Sequence, residues 1–312
     1  MTALARIGRV NHLVAILMAI ALALVSTNPA QAIIVRHDVD DAEFLQPEGA
    51  YPAVFDVFEK RGGVATLIAP IWAITAGHVG QDIKPGHETM IAGQSYTVHQ
   101  VVLHPKWATG NREMALFQLD RLVQNVEPIS LYTTSDEQGK IVTFVGRGDS
   151  GTGLTGPITA DHKLRAATNR VERVEGDMLV FRFDAPEDDN TTPLEGVSGP
   201  GDSGGPALIE SSGVSKLAGL SVASSGRTPG QYGNLEFYSR VSIDVDWIQE
   251  TISTAGGTGS QESYSSASTA EIEVKSVFSF TTLLYAGAIV VTAFILAVII
   301  GVIVTSHRND ED

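Results

Sequence analysis

Residues 201–206, with the sequence GDSGGP, place a serine hydroxyl among glycines. Because glycine has no Cβ atom, the backbone around Ser203 can turn its N–H groups toward a single point. We expect the N–H groups of Gly201 and Ser203 to face the oxygen of an attacked carbonyl, where fixed donors stabilise the developing negative charge. Taken alone, the segment is also compatible with a tight glycine turn that carries a solvent-facing serine, which is the less favoured alternative.

A serine hydroxyl needs an adjacent base before it can attack at neutral pH, and His78 is the candidate for that base. It follows a strand-like run that ends in small residues, which leave room for an imidazole at a chain turn. Glu113 stands at the start of an apolar run, where its carboxylate could orient the imidazole. Singly, His78 could be an ordinary hydrogen-bonded histidine and Glu113 a solvated charge. Together with Ser203, they predict acyl transfer.

The elements that must position these residues are short and rich in β-branched and aromatic side chains. Such runs occupy residues 64–68, 141–145, 178–183 and 218–222, with glycines and prolines between them. Short strands at this spacing indicate an all-β sandwich or barrel. Residues 244–251 are the one segment of this region with helical spacing, carried by Val245, Ile248 and Ile252.

Residues 63–79, 113–119, 201–207, 237–241 and 246–248 resemble the trypsin-like serine proteases of the chymotrypsin fold. The resemblance extends over residues 33–252. It implies two antiparallel six-stranded β-barrels with a boundary near residues 137–140, a cleft between them and a C-terminal helix. It also implies endopeptidase activity, with His78 as general base, Ser203 as nucleophile, and the Gly201 and Ser203 amides as the oxyanion hole.

The chain departs from the family pattern at positions that affect chemistry. Glu113 stands where the family has aspartate, and its extra methylene either reaches His78 after adjustment or detunes the triad. Val197 occupies the family position at the base of the primary pocket, so a plain preference for Lys or Arg is not expected. Glu236, in a segment that lines the same pocket in the family, could restore that preference. It could also be a solvent-facing loop residue.

In the family, a freed N-terminal isoleucine places its ammonium beside the acid that precedes the nucleophile, which is Asp202 here. Cleavage after Ala32 would free Ile33 directly, and no Lys or Arg stands immediately before it to mark a separate activation cut. We therefore expect the Ile33 α-ammonium to pair with Asp202 and to order the oxyanion loop. The alternative is that loop amides alone satisfy Asp202.

Composition excludes several other classes of function. The formal net charge is −15, whereas a nucleic-acid-binding domain carries a basic face. The chain has no cysteine, so disulfides, thiolate chemistry and cysteine metal sites are excluded. We expect no cofactor and no metal, and we expect protein or peptide substrates.

Both termini carry signals for export and membrane insertion. Residues 1–32 have a basic start, an apolar run and a small-residue cleavage pattern, which indicate a signal peptide. Residues 253–276 are rich in Gly, Ser and Thr and predict a flexible stalk. Residues 277–306 have no charged side chain and are long enough to cross a bilayer, with 307–312 as a short tail. This order predicts a single-pass membrane protein with its protease domain on the extracytoplasmic side.

The sequence thus predicts a membrane-tethered serine endopeptidase. The alternative is a protease-like binding module at the cell surface with an impaired active site. The replacement of the usual aspartate by Glu113 is the feature that supports this alternative. A purely structural adhesion domain is poorly supported, since it gives no reason for the settings of His78 and Ser203.

Overall fold

The structure is a computed structural model that describes residues 33–59, 62–159 and 161–255. The predicted signal peptide, membrane span and tail, together with residues 256–276 of the predicted stalk, lie outside the described residues. Within the described part of the chain, no helix is both long enough and apolar enough to cross a membrane.

The described residues form mainly short antiparallel strands, as their β-branched and aromatic content predicts. In chain order these are β1 (Ile34–Val35), β2 (Val54–Asp56), β3 (Val64–Ala69), β4 (Trp72–Thr75), β5 (Glu88–Ile91), β6 (Gln94–Leu103), β7 (Ala115–Leu119), β8 (Ile141–Gly146), β9 (Ser150–Thr152), β10 (Gly156–Thr159), β11 (Arg165–Glu175), β12 (Met178–Arg182), β13 (Gly196–Val197), β14 (Pro206–Ser211), β15 (Val214–Ser224) and β16 (Leu235–Arg240). The helices are α1 (Gly77–Gly80) and α2 (Val245–Ala255), with 3-10 turns at Asp41–Glu43 and Trp107–Thr109.

Two six-stranded barrels confirm the predicted fold class. The amino-terminal barrel has the strand order β2-β3-β4-β7-β6-β5. Its edges meet where Thr89 Oγ1 of β5 donates to the Asp56 carbonyl of β2 at 2.9 Å. The carboxyl-terminal barrel is closed, in the order β11-β12-β16-β15-β14-β8. Residues 137–140 immediately precede β8, the first strand of this second barrel.

Each barrel has its own apolar interior, and a third cluster joins the two. Phe144 and Tyr238 stack with ring centroids 4.7 Å apart inside the carboxyl-terminal barrel. Between the barrels, Trp72 of β4 belongs to the same buried cluster as Leu220 of β15 and Ile248 of α2. Burial of large aromatic and aliphatic side chains at this junction holds the barrels together and so fixes the cleft between them.

The C-terminal helix is confirmed, and it is longer than the sequence pattern indicated. Its apolar spacing predicts residues 244–251, whereas α2 runs over Val245–Ala255. Ser253 and Thr254 donate their hydroxyl protons to the Glu250 carbonyl at 3.0 Å and 2.7 Å. The helix therefore includes residues 253–255, which composition alone assigned to the stalk.

A four-stranded sheet of β10, β9, β1 and β13 connects the start of the described chain to the region of the glycine-rich loop. Ile34 of β1 pairs with Val197 of β13 in antiparallel register. On its other side, Ile34 pairs with Gly151 of β9 in parallel register. Residue 33 is therefore held close to the segment that leads into Ser203.

Candidate active site

His78 lies in α1, the single helical turn that follows β4. Ala76 and Gly77 before it are buried, and the His78 side chain is about one third exposed, at 35%. Small residues let the turn pack closely, since a Cβ at Gly77 would lie 3.1 Å from the Met114 nitrogen. The imidazole is thus anchored in the amino-terminal barrel with one side open to solvent.

Glu113 contacts His78 despite its extra methylene. Its Oε1 atom accepts a hydrogen bond from the His78 backbone N–H at 2.6 Å. The same oxygen lies 2.7 Å from His78 Nδ1. This contact assigns the proton to Nδ1 and leaves Nε2 as the acceptor, the tautomer that a general base requires.

Ser203 enters the cleft from the carboxyl-terminal barrel, on the loop before β14. The loop is tied to the amino-terminal barrel, because Val64 N–H donates to the Ser203 carbonyl at 2.7 Å. Gly63 N–H likewise donates to the Gly201 carbonyl at 2.8 Å. Gly204 has φ +80°, and a Cβ there would overlap Thr75 Oγ1 and the Val64 carbonyl. Only glycine permits this close approach beside the residues that lead into His78.

The Ser203 hydroxyl has no hydrogen-bond partner within the part of the chain that the structure describes. A direct bond to the imidazole is therefore not formed in this state, and such bonds are often long until substrate is bound. The backbone N–H groups of Gly201 and Ser203 also have no acceptor among the described residues. Unpaired amides in a cleft are available to an external oxygen.

Asp202 points away from the cleft into a buried cage of N–H donors. Its Oδ2 atom accepts from the nitrogens of Ile33 and Gly199, each at 2.9 Å. Its Oδ1 atom accepts from Gly148 N–H at 2.7 Å. Burial raises the pKa of Asp202 to about 6, although these three bonds favour the ionised form. No cation contacts the carboxylate among the described residues.

The two residues expected in the primary pocket are both buried. Val197 packs with Ile34 and Phe183. Glu236, on β16, is only 1% exposed, so the alternative of a solvent-facing loop residue is wrong. Its Oε2 atom accepts from Ser198 Oγ at 2.8 Å, and Ser198 Oγ accepts from Ser221 Oγ at 3.0 Å.

The second carboxylate oxygen of Glu236 has no partner. Oε1 is buried without a hydrogen bond from any described residue. Burial raises the pKa of Glu236 well above its usual range, while the Ser198 bond opposes the rise. The site therefore holds a buried acceptor whose ionised form requires a further donor or cation.

One sizeable cavity in the described part of the protein does not contain the candidate triad. It measures about 1170 Å³ and is lined by residues of β2, β5 and the loops near Arg147 and His162. A much smaller cavity of about 20 Å³, also lined by Arg147 and His162, reaches Gly62 and Gly201. The candidate site therefore rests on the chemistry and contacts of its side chains, and this cavity does not mark it.

Sequence reasoning missed Ser198, which contacts Glu236, Ser221, which contacts Ser198, and Arg112, the residue directly before Glu113. Ser198, just after β13, and Ser221, in β15, are far in sequence from Glu236 in β16, and no local pattern marks them. Arg112 directly precedes Glu113 and has φ +59°. Gly148 was also missed. Its N–H donates to Asp202 Oδ1, and the only hint in the sequence is that the residue is a glycine, which allows a close backbone approach.

Comparisons with known proteins agree with this geometry. Residues 46–248 match the family model described as Trypsin. The chain is 27% identical over 236 residues to Serine protease SP24D of Anopheles gambiae, an alignment that covers 66% of this chain and 78% of the relative. The matched region includes His78, Glu113 and Ser203, and it ends within α2.

Proposed function

Because this chain belongs to the trypsin family of serine proteases, we propose that it is a serine endopeptidase that acts through a covalent acyl-enzyme. The serine protease domain implies protein or peptide substrates. The contact between Glu113 Oε1 and His78 Nδ1, at 2.7 Å, is the observation that carries this proposal. It supplies the oriented base that an inactive relative of the same fold would not need.

The proposed reaction follows from the protonation state of each group. Ser203 Oγ attacks the substrate carbonyl carbon while His78 Nε2 accepts the hydroxyl proton, and the Glu113 carboxylate stabilises the resulting imidazolium. The unpaired amides of Gly201 and Ser203 bind the oxyanion. His78 then gives the proton to the leaving amine. In the second half of the reaction, His78 Nε2 takes a proton from water as the water oxygen attacks the acyl carbon. His78 then gives this proton to Ser203 Oγ, which leaves as the restored hydroxyl.

Labelling with a fluorophosphonate probe tests this function against the alternative of a binding module with an impaired site. The wild-type protein is expected to take up one probe per chain, because the probe reacts only with a serine whose oxygen is activated by a base. Mass spectrometry should place the label on Ser203. Ser203→Ala should not react, and Ser215→Ala, which changes an exposed serine of β15, should react as the wild type does. Absence of labelling in folded wild-type protein would favour the binding module.

Export and tethering are part of the same proposal and are supported by the sequence signals alone. Residues 1–32 direct the chain out of the cytoplasm, and residues 277–306 hold it in the membrane. In cells that express the full chain, a charged probe that cannot cross membranes should label Ser203. The labelled full-length protein should stay with the membrane fraction. A labelled protein that ends at residue 255 should instead be found outside the membrane fraction, in the medium.

We propose that the primary pocket prefers substrates with a lysine or arginine on the acyl side of the scissile bond. The cation of that side chain would pair with the unpartnered Oε1 of Glu236, on a carboxylate that no described cation neutralises. Glu236→Gln is expected to lower kcat/KM for a lysyl peptide about 100-fold relative to an alanyl peptide, the scale of a lost buried charge pair. Glu210→Gln, which changes an exposed glutamate of β14, is the matched control and should leave the ratio unchanged.

The same pocket predicts a pH dependence with a definite sign. Because burial raises the pKa of Glu236, binding of a cationic side chain must release the proton that this carboxyl group holds at lower pH. KM for the lysyl peptide is therefore expected to rise as the pH falls, and KM for the alanyl peptide to stay nearly constant. Glu236→Gln should remove the difference. Equal pH profiles for both peptides in the wild type would contradict this assignment.

A further inference from the structure

Arg112, the residue directly before Glu113, has a strained backbone conformation. Its φ of +59° lies in the left-handed region, which long side chains rarely adopt. Such a conformation persists only where the surrounding contacts hold it, and these residues cluster at functional sites. The contacts of Arg112 therefore bear on how Glu113 is placed.

Two carboxylates of the carboxyl-terminal barrel hold Arg112. Its backbone N–H donates to Asp177 Oδ2 at 2.9 Å, and Asp177 lies in the turn between β11 and β12. Its Nε atom forms an ion pair with Asp244 Oδ1 at 3.1 Å, just before α2. A weaker ion pair joins Arg112 Nη1 to Asp177 Oδ2 at 3.6 Å. Arg112 itself belongs to the amino-terminal barrel, so these contacts cross between the barrels.

Asp244 depends on Arg112 for charge compensation. Its side chain is 6% exposed and its Oδ2 atom has no hydrogen-bond partner among the described residues. His104 Nε2 lies 3.4 Å from Oδ1, and the Trp247 ring packs on the His104 ring. Burial lowers the pKa of His104, against the attraction of Asp244, so the imidazole favours its neutral form. Arg112 is then the permanent cation at this carboxylate.

We propose that Arg112 is a positioning residue, which fixes the Glu113 carboxylate on His78 by fastening its backbone to the barrel that carries Ser203. This role rests on the proposed function, since it acts through the triad. It also explains how a glutamate serves where the family has aspartate. Glutamate has one more rotatable bond, so its backbone must be held firmly for one oxygen to meet two donors at 2.6 Å and 2.7 Å.

Arg112→Gln is expected to lower kcat about 10- to 100-fold with KM changed less than threefold, because a displacement of about 1 Å at the reacting groups costs on that order. Asp244→Asn should lower kcat in the same direction by a smaller factor. Arg121→Gln is the matched control, since Arg121 forms an exposed ion pair with Asp120 at the end of β7, and it should keep full activity. Thermal unfolding of each variant verifies that the chain folds.

Two further variants separate positioning from a merely structural role. Arg112→Gly accepts the left-handed conformation without strain and lacks the guanidinium, so it should lose activity as Arg112→Gln does. In a Glu113→Gln background, Arg112→Gln should reduce kcat less than threefold further, because its partner in catalysis is already disabled.

Full activity of folded Arg112→Gln or of Arg112→Gly would overturn the positioning role. Losses that multiply in the double variant would overturn it as well, since they would show that Arg112 acts independently of Glu113. Wild-type protein that neither cleaves peptides nor reacts with a fluorophosphonate would instead contradict the proposed function, and the positioning role with it.

Discussion

His78→Ala is expected to lower kcat for peptide hydrolysis about 10⁶-fold, the scale found when the base of a serine triad is removed. Without the imidazole, no described side chain is positioned to take the Ser203 proton. The Gly201 and Ser203 amides would still stabilise the oxyanion, so a rate above that of water should remain. Steady-state cleavage of a chromogenic peptide measures the change, and circular dichroism verifies the fold.

Substitution of Glu113 tests the same triad through its acid. Glu113→Gln should keep the contact with His78 but offers no negative charge, and it should lower kcat about 10⁴-fold. Because the residues act as one unit, the double variant should be no slower than His78→Ala alone. His99→Ala, which removes an exposed histidine of β6, is the control and should retain full activity. A Glu113→Gln enzyme with nearly normal kcat would show that Glu113 plays no part in catalysis.

The types and order of the reactive residues could be derived from the chain, because they depend on local chemistry. A histidine after small residues, an acid before an apolar strand and a serine among glycines are visible without a structure. Whether Glu113 reaches His78 could not be derived, because the 2.7 Å contact between Glu113 Oε1 and His78 Nδ1 joins residues 35 positions apart in the chain. The left-handed backbone of Arg112, which no sequence pattern marks, helps to determine where Glu113 lies.

The strand runs indicate a sandwich or barrel and the family resemblance implies two barrels, but neither gives the contacts between their side chains. Strand runs such as residues 64–68 and 141–145 show their periodicity locally, and both occur within strands. The link between Ser198, Ser221 and Glu236 joins three separate strands or loops, and hydroxyl groups carry no positional signal of their own. The burial of Glu236 was likewise undetermined, since its neighbours in sequence do not bury it.

The cage of N–H donors around Asp202 leads to a prediction about how Ile33 affects stability and activity. Three N–H groups neutralise part of the carboxylate charge, yet none of them carries a full positive charge. With Ile33 as an amide, burial raises the pKa of Asp202 to about 6, so the folded state binds a proton more tightly than the unfolded chain. The stability that protonation contributes is present below about pH 4 and is lost as the pH rises through about 6.

A free α-ammonium at Ile33 would reverse this dependence, because it supplies the missing cation next to Asp202 Oδ2, 2.9 Å away. Above pH 6, protein that begins at Ile33 is therefore expected to be more stable than protein that retains Gln31 and Ala32. The difference should shrink as the pH falls toward 4. Urea unfolding of both forms across this range measures it.

Activity should follow the same ammonium group, since Asp202 lies between the Gly201 and Ser203 amides. The form that begins at Ile33 is expected to have a kcat/KM about 100- to 1000-fold higher than the extended form at neutral pH, as expected when an oxyanion donor is lost. Ile33→Val in the processed form is the matched control, because it keeps the ammonium and a buried β-branched side chain. Edman sequencing of active enzyme should start at Ile33. Equal activity of the extended and processed forms would mean that the amides of Gly148 and Gly199 hold Asp202 without a cation.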